Sequence, residues 1–220
     1  MLEVVETFVS INGEGQSAGE LSCFIRMKGC NLNCSYCDTK WANEKETPFL
    51  KKSKEELYEW VKETGIKRVT ITGGEPLLQK DIGDLLLYFS KDSDLKVEIE
   101  TNGSVDIRPF LLKKNPPSFT LDYKLEGSGM ESFMCVENYQ YISKKDTVKF
   151  VCKTETDFYQ ALSVIKKYHL TSITKVYLST AFGELSPERM VELMKKERLN
   201  DICLQLQLHK YIWDPKQTGV

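Results

Sequence analysis

Residues 68–89 have the sequence RVTITGGEPLLQKDIGDLLLYF, and this stretch decides the fold. It begins with a β-branched run, Arg68–Thr72, that is typical of a buried strand. A glycine turn follows, and apolar residues then recur at helical spacing, namely Ile82, Leu85, Leu86 and Phe89. A strand, a turn and an amphipathic helix in this order form one βα unit of a parallel sheet.

The same alternation of strands and helices continues along the chain from about residue 20. Further strands are predicted at Ser22–Met27, Lys96–Glu100, Phe119–Asp122, Thr147–Val151, Lys175–Ser179 and Ile202–Leu206. Helices are predicted after the Ser53/Glu56 capping box up to Gly65, around Phe158, Ala161, Leu162 and Ile165, and from Ser186-Pro187 through Met190, Leu193 and Met194. About six parallel βα units predict a partial, open TIM-like barrel, because a closed one needs ~250 residues.

Composition limits the possible classes of protein. The chain has 220 residues, of which 41% are hydrophobic and 28% are charged, so we expect one folded domain over residues 1–220. The net charge of -2 gives no general reason to bind nucleic acid or an anionic membrane. No apolar run approaches the ~20 residues that span a bilayer, and the start of the chain is too acidic for a secretory signal. We therefore expect a cytoplasmic protein.

Seven cysteines are unusual in such a chain, and an odd number argues against a disulfide framework. Cys30, Cys34 and Cys37 form a C-x-x-x-C-x-x-C loop, whereas Cys23, Cys135, Cys152 and Cys203 are scattered and are expected to fill the core. Three thiolates would leave one iron of a 4Fe-4S cluster free to bind the amino and carboxylate groups of S-adenosylmethionine (SAM). The alternative is a zinc site completed by Asp38 or His209.

The unusual motifs all follow predicted strands. Gly29-Cys30 comes after the strand that ends at Met27, and Gly73-Gly74-Glu75-Pro76 comes after the strand that ends at Thr72. Lys124 follows the strand that ends at Asp122. Because the carboxyl ends of parallel strands meet at one mouth of a barrel, we expect these motifs to form one site.

Together, the cysteine triplet and the Gly-Gly-Glu-Pro turn resemble the radical SAM superfamily. The resemblance implies that Cys30, Cys34 and Cys37 ligate a 4Fe-4S cluster, with Tyr36 covering it. It also implies that the backbone of Gly73, Gly74 and Glu75 receives the amino group of SAM, since glycine lets main chain approach a ligand closely. The cluster would then cleave SAM reductively, and the resulting 5'-deoxyadenosyl radical would abstract hydrogen from the substrate.

Four further segments make the resemblance more specific. They are residues 8–15 (FVSINGEG), 23–26 (CFIR), 38–39 (DT) and 205–213 (QLQLHKYIW). With them, the chain resembles the 7-carboxy-7-deazaguanine synthase family over nearly its whole length. That family contracts a ring of 6-carboxytetrahydropterin, with loss of ammonia, on the route to 7-deazapurines such as queuosine. The resemblance implies an N-terminal substrate segment, a C-terminal tail that caps the substrate, a homodimer, and an electron donor such as flavodoxin or ferredoxin.

The resemblance also assigns roles to individual residues. The substrate pocket would comprise Ile11, Asn12, Gly13, Glu14, Arg26, Thr72 and His209. Arg26 suits a carboxylate, and Glu14 suits the amino and ring N–H groups of a pterin. The cofactor would also contact Tyr36, Cys37, Asp38, Asp122, Tyr123, Lys124, Leu178, Ser179, Thr180 and Ala181. Thr39 would act as a magnesium ligand, although Asp38-Thr39 alone also fits a helix-capping turn.

Two other functions remain open at this point. A glycyl-radical-enzyme activase would share the cysteine triplet, the Gly-Gly-Glu-Pro-like turn and the compact size. Glu14, Arg26, Thr39 and His209 favour a small polar substrate instead, because a glycine loop of a protein would not need them. A non-enzymatic iron-sulfur or zinc module would not cleave SAM at all.

Overall fold

Parallel strands predominate in the sheet of the computed structural model, which describes residues 1–215 and 217–220. Within this part of the chain the strands are β1 (Leu2–Ile11), β2 (Leu21–Met27), β3 (Leu50–Lys52), β4 (Arg68–Gly73), β5 (Lys96–Thr101), β6 (Ser118–Tyr123), β7 (Thr147–Cys152), β8 (Lys175–Thr180) and β9 (Ile202–Leu204). Their order is β3-β1-β2-β4-β5-β6-β7-β8-β9, and all neighbours from β2 to β9 are parallel. β3 and β9 form the two edges, so the predicted open barrel is confirmed.

Two strands at one edge of the sheet lie outside the predicted alternation. β1 pairs antiparallel with β2, from Val4 opposite Met27 to Ile11 opposite Leu21, and β3 pairs antiparallel with β1. A register shift after Val4 and incomplete burial on both faces disturb the side-chain pattern of β1. Regular structure therefore begins well before residue 20.

Apart from β1–β2, β5–β6 and β6–β7, which are joined without one in the described chain, consecutive strands are connected by α-helices. The helices are α1 (Lys40–Asn43), α2 (Lys54–Thr64), α3 (Ile82–Phe89), α4 (Glu155–Lys167), α5 (Leu170–Ile173), α6 (Pro187–Lys196) and α7 (His209–Ile212). The predicted capping box is present, since Ser53 Oγ accepts from the Glu56 N–H at 3.1 Å and the Ser53 N–H donates to Glu56 at 2.6 Å. Gly65 ends α2 in the left-handed conformation, with a φ of 72°. Short 3-10 turns lie at Pro76–Leu78, Arg108–Phe110, Glu126–Ser128, Glu131–Phe133 and Val136–Gln140.

The predicted apolar stripes of α2, α3, α4 and α6 do form the core. Their fully buried members are Leu57, Val61, Ile82, Leu85, Leu86, Phe89, Phe158, Ala161, Met190 and Leu193. The prediction that all four scattered cysteines fill the core is wrong. Cys23 and Cys152 are buried, but Cys135 is half-buried and Cys203 is exposed because it lies on the edge strand β9. Within the described residues, no helix is both long and apolar enough to cross a membrane.

Candidate active site

A large cavity opens at the carboxyl ends of the parallel strands. Its volume is about 630 Å³, which lies within the range of small-molecule sites. Residues of β1, β2 and β4 to β7 line it, together with the segment that follows β8 and the tail that follows β9. The sheet thus brings the predicted motifs together at one mouth.

The three-cysteine loop lies at this cavity, directly after β2. Cys30, Cys34 and Cys37 all line the cavity wall. Burial raises the pKa of the Cys30 and Cys34 thiols, so the metal-free loop holds protons that iron would displace. Among the described residues no three Cys, His, Asp or Glu side chains converge as a cage for a single metal ion. An iron-sulfur cluster makes a different demand, since each thiolate binds a separate iron.

Hydrogen bonds hold the cysteine loop in place. The Ser35 N–H donates to the carbonyl of Ser128 at 3.0 Å, and its hydroxyl donates to the carbonyl of Gly127 at 2.8 Å. On the other side, the Leu32 N–H and the Asn102 amide point at Cys30 Sγ, at 3.4 and 3.5 Å. Thiols with neighbouring N–H donors are the usual ligands of iron-sulfur clusters. The donor set therefore fits a cluster.

The Gly73-Gly74 turn packs against the cysteine loop through backbone alone. A Cβ on Gly73 would lie 2.2 Å from the Met27 carbonyl oxygen, and one on Gly74 would lie 2.1 Å from that of Gly29. Gly73 also has a φ of 143°, which side chains disfavour. The Glu75 N–H donates to Gly29 O at 2.8 Å and completes the contact. Close contact with the neighbouring backbone therefore requires glycine at positions 73 and 74, independently of any ligand.

Glu75 is fully buried and stabilises this arrangement without lining the cavity. Its buried carboxyl group accepts from the Leu77 N–H at 3.1 Å, the Thr101 hydroxyl at 2.9 Å and the Asn102 N–H at 2.7 Å. Burial raises the pKa of Glu75 to about 7. The side chain ties the turn after β4 to the end of β5, and Asn102 in turn contacts Cys30.

Arg26 also lines the cavity, in an aromatic setting. Its Nε donates to Glu6 Oε1 at 2.7 Å, and its guanidinium carbon lies 5.9 Å from the Phe8 ring and 6.0 Å from the Trp41 ring. Phe8 stacks on Phe24 with ring centroids 4.9 Å apart. The terminal nitrogens of Arg26 therefore sit beside a planar apolar surface, which suits a flat, anionic ligand.

Largely buried charged side chains also line the cavity. Lys149 contacts Glu14 and lies 3.4 Å from Asp122, which also binds Lys124 at 2.9 Å. Burial disfavours the charge on Asp122, but Lys124 and Lys149 hold its pKa below its usual value. Burial, reinforced by other nearby carboxylates, raises the pKa of the neighbouring Glu100 to about 7. The wall thus presents carboxylates and ammonium groups to a ligand.

The C-terminal tail crosses the cavity and meets the segment after β1. The Leu208 N–H donates to the Gly13 carbonyl at 3.3 Å, and a Cβ on Gly13 would lie 2.7 Å from His209 Nδ1. Burial lowers the pKa of His209, so its imidazole is neutral at pH 7. Lys210 Nζ lies 3.4 Å from Asp38, next to the cysteine loop.

Thr39 lies at the rim of this loop with a hydroxyl that does not cap a helix. It is the N-cap residue of α1, yet its side chain makes no capping hydrogen bond. Its Oγ1 lies 3.6 Å from Cys37 Sγ. The hydroxyl is therefore available to a hard cation beside the cysteines.

Comparison with known proteins decides between the families that these motifs allow. The model of the radical SAM superfamily matches residues 24–196. 7-Carboxy-7-deazaguanine synthase from Clostridium acetobutylicum is 54% identical over 218 residues, which cover 99% of both chains. The chain belongs to the 7-carboxy-7-deazaguanine synthase family of radical SAM enzymes. A relative of the same name from Leptospira interrogans is 33% identical and covers 99% of this chain and 97% of its own length.

A solved structure supports the fold of this family member. The crystal structure of QueE from Escherichia coli matches with a TM-score of 0.71 and covers 93% of each chain. The two sequences are 21% identical, so this likeness concerns the fold alone.

Not every residue assigned from the 7-carboxy-7-deazaguanine synthase family lines the cavity. Those that do not are Asn12, Glu75, Tyr123, Leu178, Ser179 and Thr180. The Asn12 amide donates to Glu98 Oε2 at 2.9 Å and accepts from the Thr70 hydroxyl at 3.0 Å, so both its nitrogen and its oxygen bond within the protein. The Tyr123 hydroxyl donates to Glu131 at 3.0 Å, and Leu178 belongs to the core. The other assigned residues lie on the cavity wall.

Sequence reasoning missed many side chains on this wall. They include Phe8, Phe24, Trp41, Glu100 and Lys149. Lys149 carried a usable signal, because a charged residue between Val148 and Phe150 interrupts an otherwise apolar strand. The aromatic residues carried none, since only the register of β1 on β2 places Phe8 beside Phe24.

Proposed function

We propose that the chain converts 6-carboxytetrahydropterin into 7-carboxy-7-deazaguanine with loss of ammonia, in queuosine biosynthesis. The observation that carries this proposal is the shared cavity. Three thiols against a glycine turn line it, and so do an arginine, a carboxylate and an imidazole together with a stacked aromatic pair. A radical cofactor and a flat, polar, anionic substrate would thus lie side by side.

The cofactor would be held by Cys30, Cys34 and Cys37 with the Gly73-Gly74 turn. When bound there, the 4Fe-4S cluster and SAM supply a 5'-deoxyadenosyl radical that abstracts hydrogen from the substrate. The protein's own residues fix the loop, exclude water and orient the reactants. Tyr36 serves this purpose through its hydroxyl, which donates to the Val151 carbonyl at 3.2 Å and holds the ring at the cavity wall.

Four other side chains that line the cavity would recognise the pterin. Arg26 offers its terminal N–H groups to the substrate carboxylate, while Glu6 fixes the guanidinium through Nε. Glu14 and Thr72 accept from the amino and ring N–H groups. His209 is neutral, so it exchanges one hydrogen bond with the substrate without adding charge.

Further parts of the proposal concern the surroundings of the reaction. Thr39 would ligate a magnesium ion that also holds substrate oxygens, so chelation should lower turnover and leave iron content unchanged. The segment after β1 would bind substrate, and the C-terminal tail would cap it within a single domain of residues 1–220. We also propose a cytoplasmic homodimer that receives electrons from a flavodoxin or ferredoxin.

Anaerobic reconstitution with iron and sulfide tests this function. The reduced protein is incubated with SAM and 6-carboxytetrahydropterin, with and without magnesium, and the products are identified by mass spectrometry. We expect 7-carboxy-7-deazaguanine and ammonia only when the pterin is present. An iron-loaded protein that cleaves SAM equally with and without the pterin would refute the assignment and favour an activase. A protein that binds metal and never cleaves SAM would favour a non-enzymatic module.

A further inference from the structure

Lys149 is a buried lysine on the cavity wall to which no role has been assigned above. It lies on β7 in register with Asp122 of β6, and only 9% of its side chain is exposed. Its neighbours Val148 and Phe150 are fully buried. An ammonium group in such surroundings costs free energy unless charged partners compensate for the lost water.

The partners of Lys149 differ in how much they depend on it. Its Nζ contacts Glu14 Oε2 and lies 3.4 Å from Asp122 Oδ2. Asp122 has a second ammonium partner, Lys124, at 2.9 Å. Within the described residues, the Glu14 side chain has Lys149 as its one hydrogen-bond partner. Loss of Lys149 would therefore release Glu14 and leave Asp122 paired.

In each of these two carboxylates, one oxygen atom makes no hydrogen bond. Glu14 Oε1 and Asp122 Oδ1 are buried and have no hydrogen-bond partner among the described residues, although both side chains line the cavity. A buried carboxylate oxygen without a donor is costly, so a ligand that brings N–H or O–H groups is expected to satisfy it. At Glu14 the amino and ring N–H groups of a pterin have this chemistry.

We propose that Lys149 is a positioning residue for the substrate: it holds Glu14 Oε2 so that Oε1 faces the N–H donors of the pterin. The inference rests on the proposed function, because it takes the pterin as the ligand of Glu14. It predicts a separation between the binding of the two ligands. Affinity for the pterin depends on Lys149, whereas affinity for SAM does not, because Lys124 keeps Asp122 in place.

Binding measurements on the reconstituted protein test this separation. Calorimetric titration with 6-carboxytetrahydropterin should give a Kd at least about tenfold higher in Lys149→Met than in the wild type, with the Kd of SAM nearly unchanged. Lys149→Arg keeps the charge and should stay within about threefold of the wild type. Lys175→Met is the matched control, since Lys175 is exposed at the opposite end of the neighbouring strand β8. The amount of 5'-deoxyadenosine released per molecule of 7-carboxy-7-deazaguanine formed should rise in Lys149→Met and in neither of the other two variants.

A double-mutant cycle separates positioning from a general structural role. If Lys149 acts through Glu14, Lys149→Met should add little to the loss already caused by Glu14→Gln. Additive losses, or equal losses of pterin and SAM affinity, would overturn the inference. Should Lys149→Met fail to fold, Lys149→Gln takes its place in the cycle. A wild-type protein that neither binds nor converts the pterin would refute the proposed function itself, whereas normal pterin binding by Lys149→Met would refute only the role of Lys149.

Discussion

At the scale of single residues, the cysteine loop separates functional thiols from incidental ones. We expect Cys34→Ala to lose cluster iron and all cleavage of SAM, because two thiolates cannot hold a cubane that needs three. Cys203→Ala is the control, since Cys203 is exposed on β9, far from the loop in the sheet order. Both variants are compared by their iron and sulfide content and by the 5'-deoxyadenosine that they form. Full cluster content in Cys34→Ala would contradict the ligand assignment.

Arg26 tests the proposed recognition of the substrate independently. Arg26→Ala removes the donors proposed for the substrate carboxylate, so the Kd of the pterin should rise about 10- to 100-fold while iron content stays the same. Arg68→Ala is matched to it, because Arg68 pairs with Glu20 at the start of β4, away from the cavity. Calorimetry measures the affinities. An Arg26→Ala protein that cannot be reconstituted with iron would contradict this division of roles.

Residue types and spacing predicted correctly which loops form the cavity. They predicted less well which side chains of those loops face it. Glu14, Arg26 and His209 line the cavity, as the resemblance implies, whereas the Asn12 side chain is turned into the protein toward Glu98. Successive side chains in an extended segment point to opposite sides, so a neighbour of a site residue often faces away. Lys149 and Glu100 reach the cavity only because parallel pairing aligns the ends of β5 and β7.

At the scale of elements, the turn after β4 depends on a glycine contact that can be tested directly. Gly74→Ala should destabilise the protein by roughly 1–3 kcal/mol and lower iron content, because the new methyl group would overlap the Gly29 carbonyl. Gly83→Ala in α3 meets open space and should be neutral or stabilising by up to about 1 kcal/mol. Denaturant unfolding compares the two variants. Equal stabilities would show that the two loops do not need to touch.

The predicted elements themselves follow from local patterns. The central strands and the helices α2, α3, α4 and α6 show strong periodicity or capping signals, and they form where the sequence predicts. β3 has three residues that face mostly solvent, and β1 has a disturbed alternation, so neither shows the pattern of a buried strand. These edge strands are determined by pairing with β2 and β1, which single-sequence patterns do not contain.

At the scale of the whole molecule, an open sheet needs a contact between its two sides. Gln205, after β9, exchanges two hydrogen bonds with Gly15, after β1: the Gly15 N–H donates at 2.7 Å and the Gln205 amide donates back at 2.9 Å. His209 packs on Gly13 a few residues further on. The tail thus bridges the open side of the barrel over the cavity. No local pattern predicts this contact, since it joins residues 190 positions apart.

The buried carboxyl of Glu100 makes global stability depend on pH. Burial raises its pKa from 4.5 to about 7, so the folded state binds its proton more tightly than the unfolded state does. Stability from this group is therefore full below pH 4.5 and falls as pH rises toward 7. Glu100→Gln should be more stable than the wild type at pH 8, by at most roughly 3 kcal/mol, and similar to it near pH 5.

Denaturant unfolding of the metal-free protein at pH 5 and pH 8 measures this effect of Glu100. Glu63→Gln on the exposed face of α2 is the control and should change stability at neither pH. A Glu100→Gln protein that is less stable than the wild type at pH 8 would show that the carboxylate is ionised and satisfied in the folded state.

The central claim is that the cluster has one iron without a protein thiolate and that SAM binds there. Electron paramagnetic resonance of the reduced, reconstituted protein, recorded with and without SAM, tests this claim most directly. We predict a 4Fe-4S signal whose shape changes when SAM is added, because the cofactor becomes a ligand of the open iron. A signal that SAM leaves unchanged, or a metal analysis that finds zinc in place of iron, would contradict it.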